Sequence, residues 1–212
     1  MNENTPLRDQ YHADGDEYGS FAFHPYNVLL MLIIFSLSIL FVSLTISFVY
    51  SRVQSSVPPI KLPSIFLFNT FILLASSGTM LSAKKAYLSD NTDRYKVALG
   101  VTMILSFLFL ALQTVGWMEL FRQEVFIDSN NSAGYLYLIS GLHFAHVIGG
   151  IPFLGYFIWQ AFTKMQDPVS VLVYFSDPEK RLKLRLLTIY WHFLDILWIY
   201  LVLFFFINYL IY

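Results

Sequence analysis

Inside otherwise apolar stretches, this sequence places a few side chains able to do acid–base or ligand chemistry: Glu119, His143, His146, His192 and Asp195. His143 and His146 are three apart, so on a helix they share one flank. Trp191, Asp195 and Trp198 follow an i, i+4, i+7 pattern that sets the acid between two indoles, whose N–H groups could serve it. Imidazoles could hold a metal or a haem, and with a carboxylate they could relay protons. A b-type haem in a membrane bundle needs axial histidines from facing helices at a common depth, and no such pair stands out. A relay or ion pathway would need more acids and bases than the remaining apolar stretches offer. A structural network that fixes helix register, or holds lipid or a partner, needs only satisfied hydrogen bonds.

These residues must be positioned by membrane helices. Of 212 residues, 57% are hydrophobic and 13% charged, about half the charged share of a soluble domain, and the mean hydropathy is +0.59. There are too few polar side chains to coat a soluble surface, so the bilayer is the expected solvent. A net charge of −1 gives no basic footprint for nucleic acid. The absence of cysteine excludes disulfides, thiolate metal sites, iron–sulfur clusters and cysteine nucleophiles.

Crossing about 30 Å of hydrocarbon takes roughly 20 apolar residues in a helix. Five stretches qualify, at about 26–50, 63–83, 97–121, 132–162 and 186–212. The expected fold is therefore all-α, a polytopic transmembrane bundle of five helices. Residues 1–25 read as a disordered acidic tail, without the basic flank and short apolar core of a secretory signal. Arg8, Lys84, Lys85, Arg94, Lys96, Lys164, Lys180, Arg181, Lys183 and Arg185 fall on one side; Arg52, Lys61 and Arg122 fall on the other. The positive-inside rule then places the N-terminus, and so the tail, in the cytoplasm and the C-terminus outside. Pro58-Pro59, Asp167-Pro168 and Asp177-Pro178 mark turns.

At 1.5 Å per residue, Asp195 lies about 14 Å from the inner boundary and His146 about 12 Å from it. The two are predicted to face each other, directly or through a water or polar neighbour. Gly141, Ala145 and Gly149 recur every four residues as a small-residue stripe for close helix packing, which suggests that the fourth span is central. Asn69, Thr70, Ser76, Ser77, Thr79 and Ser82 make the second span too polar to face lipid alone, and packing is its expected role. The first span, without an ionisable group, is expected at the periphery.

The stretch Ser140-Gly141-Leu142-His143-Phe144-Ala145-His146-Val147-Ile148-Gly149-Gly150, followed by Tyr190-Trp191-His192-Phe193-Leu194-Asp195-Ile196-Leu197-Trp198, resembles subunit III of haem–copper cytochrome c oxidases. Leu67-Phe68-Asn69-Thr70-Phe71 and Gln113 with Glu119 extend the resemblance. It implies a non-catalytic subunit with no catalytic, metal or cofactor residues of its own, in a bacterial inner membrane. Haems and copper would sit in partner subunits, above all the catalytic subunit I, which reduces oxygen to water and pumps protons. This chain would support assembly, stability and proton uptake, hold phospholipid in its cleft, and join other oxidase subunits or a respiratory supercomplex. Five spans rather than seven match the shorter bacterial form, and Ser38 stands where many members carry a carboxylate. A quinol oxidase subunit III, a related nitric oxide reductase accessory protein, a haem-b membrane anchor serving quinone and a small proton-coupled transporter are the rival readings.

Overall fold

A computed structural model describes residues 25–55, 60 and 62–211 of the protein. The acidic tail, apart from Pro25, lies outside the described residues, as do the Pro58-Pro59 turn and Lys61. The described residues form six helices: α1 (Pro25–Ser55), α2 (Ser64–Leu88), α3 (Thr92–Arg122), α4 (Asn131–Lys164), α5 (Pro168–Ser176) and α6 (Pro178–Leu210). All but α5 are long and apolar enough to cross a membrane. The chain divides into two compact units, residues 1–39 and 40–212. In the first, the described part is the N-terminal half of α1, where Ser38 Oγ donates to its own Ile34 carbonyl at 2.8 Å.

In the second unit, α2, α3, α4 and α6 close a four-helix ring in which α2 packs on α3, α3 on α4, α4 on α6 and α6 on α2. The remainder of α1 touches the ring from outside, through Phe48 edge-on to Tyr135, Phe204 and Phe205. A peripheral first helix agrees with its lack of ionisable groups. No helix of the ring is central, so the expected central position of the fourth span is not what forms. Large apolar side chains such as Phe71, Ile104, Phe153 and Ile196 are more than 60% exposed in mid-helix. A surface of that kind is stable only against lipid.

The ends of the helices follow from local chemistry. Asp90 at φ 52° and Glu124 at φ 59° adopt the left-handed conformation that stops α2 and α3. Asn91 and Asn130 then cap the next helices, accepting from Arg94 N at 3.0 Å and Ala133 N at 2.8 Å. The fourth connection differs from expectation. Asp167-Pro168 and Asp177-Pro178 are helix starts with proline in the first turn, not plain turns. They open α5 and an α6 that begins well before residue 186. Tyr174 and Phe175 fasten α5 beneath the bundle, where Tyr87 Oη donates to the Tyr174 carbonyl at 3.1 Å. Helices α4 and α6 span about 50 Å each, so their ends, including Lys180, Arg181, Lys183 and Arg185, continue past the hydrocarbon.

Asp177 caps α6 by accepting from Glu179 N at 3.0 Å and Lys180 N at 3.4 Å, and its carboxylate meets Lys180 Nζ at 3.1 Å. Asp177→Ala should cost about 1 kcal/mol in thermal unfolding of the detergent-solubilised protein. The hydrogen bond from Lys180 holds the Asp177 carboxyl below the usual carboxylate range. A group depressed in this way stabilises the fold fully above its unfolded pKa, near 4, and loses that contribution as pH falls through the lower folded value. The difference between wild type and variant should therefore be constant near neutrality and close in acid.

Candidate functional site

Two apolar clusters fill the ring, one at each end. One gathers Met80, Leu99, Leu154, Leu184 and Trp191; the other gathers Phe66, Phe109, Leu136, Ile139 and Trp198. Along every ring helix the sequence passes from one cluster to the other through a short stretch of small or polar residues. These are Ser76 to Thr79 on α2, Thr102 and Ser106 on α3, Gly150 on α4 and His192 on α6, and together they form a polar belt at mid-bundle.

Belt hydroxyls first satisfy themselves on their own helices: Thr102 Oγ1 donates to the Ala98 carbonyl and Ser106 Oγ to the Thr102 carbonyl. They also reach across. Thr79 and Thr102 hydroxyls meet at 2.8 Å, and Trp191 Nε1 donates to Ser76 Oγ at 3.1 Å. Ser77 Oγ meets His192 Nδ1 at 2.6 Å, and Asp195 Oδ2 lies 4.0 Å from the same nitrogen. Asp195 Oδ2 and His192 Nε2 are buried without a hydrogen-bond partner among the described residues. Thus α2 supplies the hydroxyls and α6 the indole, imidazole and carboxyl. Nearer the other end of α2, Asn69 Nδ2 donates to Gln113 Oε1 at 3.1 Å, and both amides are fully buried.

The structure brings some of the expected residues together and separates others. His192 is bonded to Ser77, and Asp195 lies beside that pair, 4.0 Å from His192 Nδ1. His146 turns elsewhere: its Nδ1 meets the Leu142 carbonyl at 2.6 Å and its ring packs edge-on to Phe41 at 5.9 Å. Among the described residues no hydrogen bond or ion pair links it to Asp195. Matching depth fixes height but not azimuth. His143 points into the ring, and His146, three residues on, is rotated by about 60° toward α1. His143 is fully buried between Phe109 at 5.8 Å and Trp198 at 5.0 Å. Neither His143 ring nitrogen has a hydrogen-bond partner among the described residues.

The indoles do not serve Asp195 either: Trp191 Nε1 goes to Ser76, and Trp198 Nε1 has no partner among the described residues. Glu119 sits on the surface at the end of α3, 3.9 Å from Arg122 and accepting from Gln123 at 3.3 Å. Gly141 and Gly149 have nothing within 4 Å of where a Cβ would stand, and Ala145 is exposed. The stripe therefore packs against no helix of the described chain. The glycines approached most closely are Gly150, whose Cβ would stand 3.0 Å from the Trp191 ring and 3.1 Å from Tyr190, and Gly116, 2.9 Å from Ile65. Tyr190 Oη donates to the His146 carbonyl at 3.0 Å beside this contact.

Among the described residues, no three histidine, aspartate or glutamate side chains gather as a metal site would require. Residues 14–209 match the family model described as cytochrome c oxidase subunit III. The chain is 26% identical to the cytochrome c oxidase subunit 3 of Synechocystis, over 71% of this chain and 61% of that protein. It is 29% identical to that of Gallus gallus over 69% and 51%, and 30% identical to a probable one of Rickettsia prowazekii over 68% and 46%. It thus aligns with about half the length of these relatives. The match runs through the ring and its belt from end to end, and the chain belongs to the cytochrome c oxidase subunit III family.

Proposed function

We propose that this chain is the accessory subunit III of a respiratory haem–copper terminal oxidase in a bacterial inner membrane. Its catalytic partner, subunit I, would reduce oxygen to water with its own haems and copper. This chain would contribute assembly, stability and proton-uptake support, with its N-terminus in the cytoplasm. The family match carries the reading. It is supported by a belt in which three hydrogen bonds run across helices, from Ser77 to His192, Thr79 to Thr102 and Trp191 to Ser76. In this reading His143, Trp191, His192, Asp195 and Trp198 brace the bundle. Glu119, His146 and the open Gly141, Ala145, Gly149 face are turned outward, toward other subunits or lipid.

The experiment is purification of the tagged chain in a mild detergent with mass spectrometry of what accompanies it. Recovery of a many-span haem–copper subunit is expected, and its companions would tell a cytochrome c oxidase from a quinol oxidase. Recovery of the chain alone with bound haem would overturn the proposal. Asp195→Leu should weaken the α2–α6 contact by about 1 kcal/mol, the scale of interhelical hydrogen bonds in membranes. It is checked by the share of complexes that keep this subunit through purification. Unchanged retention and turnover would sink the bracing role.

A further inference from the structure

The nine-residue α5 carries no charged side chain, yet the protein takes up only one of its sides. Tyr174 and Phe175 turn inward, 1% and 9% exposed, against Tyr87 at the end of α2 and Tyr95 at the start of α3. Tyr174 Oη also donates to Gln160 Oε1 on α4 at 3.3 Å. On the other side Leu172 and Val173 are 66% and 64% exposed. A helix apolar on both sides is stable when both are covered.

Its place in the fold decides the cover. Lys84 and Lys85 precede Tyr87, and Lys96 follows Tyr95. The level at which α5 docks is therefore the one where the ring helices pass from hydrocarbon to charge. Lys96 Nζ donates to the Met165 carbonyl at 3.0 Å just before α5, and Lys180 Nζ lies 4.5 Å over the Tyr174 ring just after it. Asp177 and Glu179 are answered by Lys180 and Lys183. Lys85, Arg94, Lys164, Arg181 and Arg185 are exposed at this end, against Asp90, Asp93 and Asp167. At about 14 Å, α5 is too short to cross the bilayer, but it suits the interface, where water still reaches the ends of a helix. An apolar face among cations at this level fits the acyl boundary beneath anionic headgroups. We propose that α5 is an interfacial anchor that seats Leu172 and Val173 among the acyl chains of an anionic leaflet. Through Tyr174 and Phe175 it fixes the depth of the α2 and α3 ends, and it does so in the chain alone, whichever partners the chain has.

The sequence has no cysteine, so Leu172→Cys and Val173→Cys each accept a single environment-sensitive nitrobenzoxadiazole label. Both side chains stand outside the bundle, so the label leaves the Tyr87 and Tyr95 contacts in place, and helical circular dichroism is recorded for each variant. The full chain is reconstituted in vesicles of phosphatidylcholine and phosphatidylglycerol. Both labels should emit to the blue of the free label, lose severalfold of its quenching by aqueous iodide, and be quenched by lipid carrying a nitroxide near the headgroup. Replacing the phosphatidylglycerol with phosphatidylcholine should weaken that lipid quenching. Iodide quenching equal to that of the free label at both positions would overturn the proposal. So would labels shielded only after another oxidase subunit joins, which would assign the face to protein. Lipid quenching indifferent to phosphatidylglycerol would overturn the anionic leaflet as its seat.

Discussion

Trp198→Ala should be the most damaging truncation in this chain, lowering stability by about 3 kcal/mol or more. Trp198 is 1% exposed and touches every helix of the ring. It stacks on Phe66 of α2 at 5.9 Å, meets Phe109 of α3 edge-on at 5.1 Å, and lies 5.0 Å from His143 of α4. In a bilayer the removed side chain is not being withheld from water, so the loss is mostly dispersion and the cavity left behind. That places the expected value at the low end of the range for buried tryptophan. The variant also strips one wall from His143, whose ring nitrogens already lack partners among the described residues, and offers that imidazole room for water. Reversible unfolding in mixed micelles measures the effect. Trp159→Ala is the comparison: that indole is 59% exposed, and its loss should stay within about 0.5 kcal/mol. Equal effects at the two positions would mean that the ring does not depend on the Trp198 contacts.

Much of this arrangement is legible in the sequence. Apolar runs long enough to cross the bilayer mark five helices, and the absence of charge before Arg52 marks α1 as peripheral. Small hydroxyl residues on the second span announce a packing helix. What stays hidden is azimuth and extent. His146 and Asp195 share a depth yet not a face, because three residues turn a helix by 300° and carry His146 toward Phe41. Hydropathy ends a helix where lipid ends, whereas backbone hydrogen bonding carries α6 back to Pro178. That is why Asp177-Pro178 reads as a turn and acts as a cap. The partner of His192 is Ser77, and one serine among several on α2 carries no distinguishing signal until the helix is oriented. The Asn69–Gln113 pair could have been found, since two carboxamides in facing apolar spans have few other ways to be satisfied.

The belt also explains why the ring tolerates polar residues that hydrocarbon penalises. Each apolar cluster fixes two layers of helix contacts, but in lipid no hydrophobic gain selects one register over its neighbour. Cross-helix bonds such as Thr79 to Thr102, Ser76 to Trp191 and Ser77 to His192 exist only in the native register. A slip by one turn would strand the Trp191 Nε1 and His192 Nδ1 groups in an apolar medium, while the Thr79 and Thr102 hydroxyls would keep the carbonyls of their own helices. In the bracing role proposed for it, the network would contribute more to uniqueness than to net stability, and the modest effect expected for Asp195→Leu follows from that division.

Adjacent glycines on α4 give the sharpest contrast. Gly150→Val should destabilise the bundle by about 1–3 kcal/mol, whereas Gly149→Val should be neutral or stabilise by a few tenths of a kcal/mol, valine being the better helix former. A Cβ at Gly150 would stand 3.0 Å from Trp191 and 3.1 Å from Tyr190, and at Gly149 nothing lies within 4 Å. Neither ring can yield cheaply. Trp191 is 2% exposed and tied to Ser76, while Tyr190 is held by the His146 carbonyl. Forcing α4 and α6 apart here would lengthen the Tyr190–His146 bond that spans them and press α6 on α2, where Trp191 meets Ser76 and His192 meets Ser77. Valine at Gly150 should therefore lower the unfolding midpoint in mixed micelles and shift the environment of the Trp191 indole, read by its fluorescence. Valine at Gly149 should leave both unchanged. If the two substitutions behaved alike in the isolated chain, the close approach would lie on the Gly141, Ala145, Gly149 face instead. If Gly149→Val is silent in the isolated chain but costs subunit retention in a purified complex, that face is where another subunit packs.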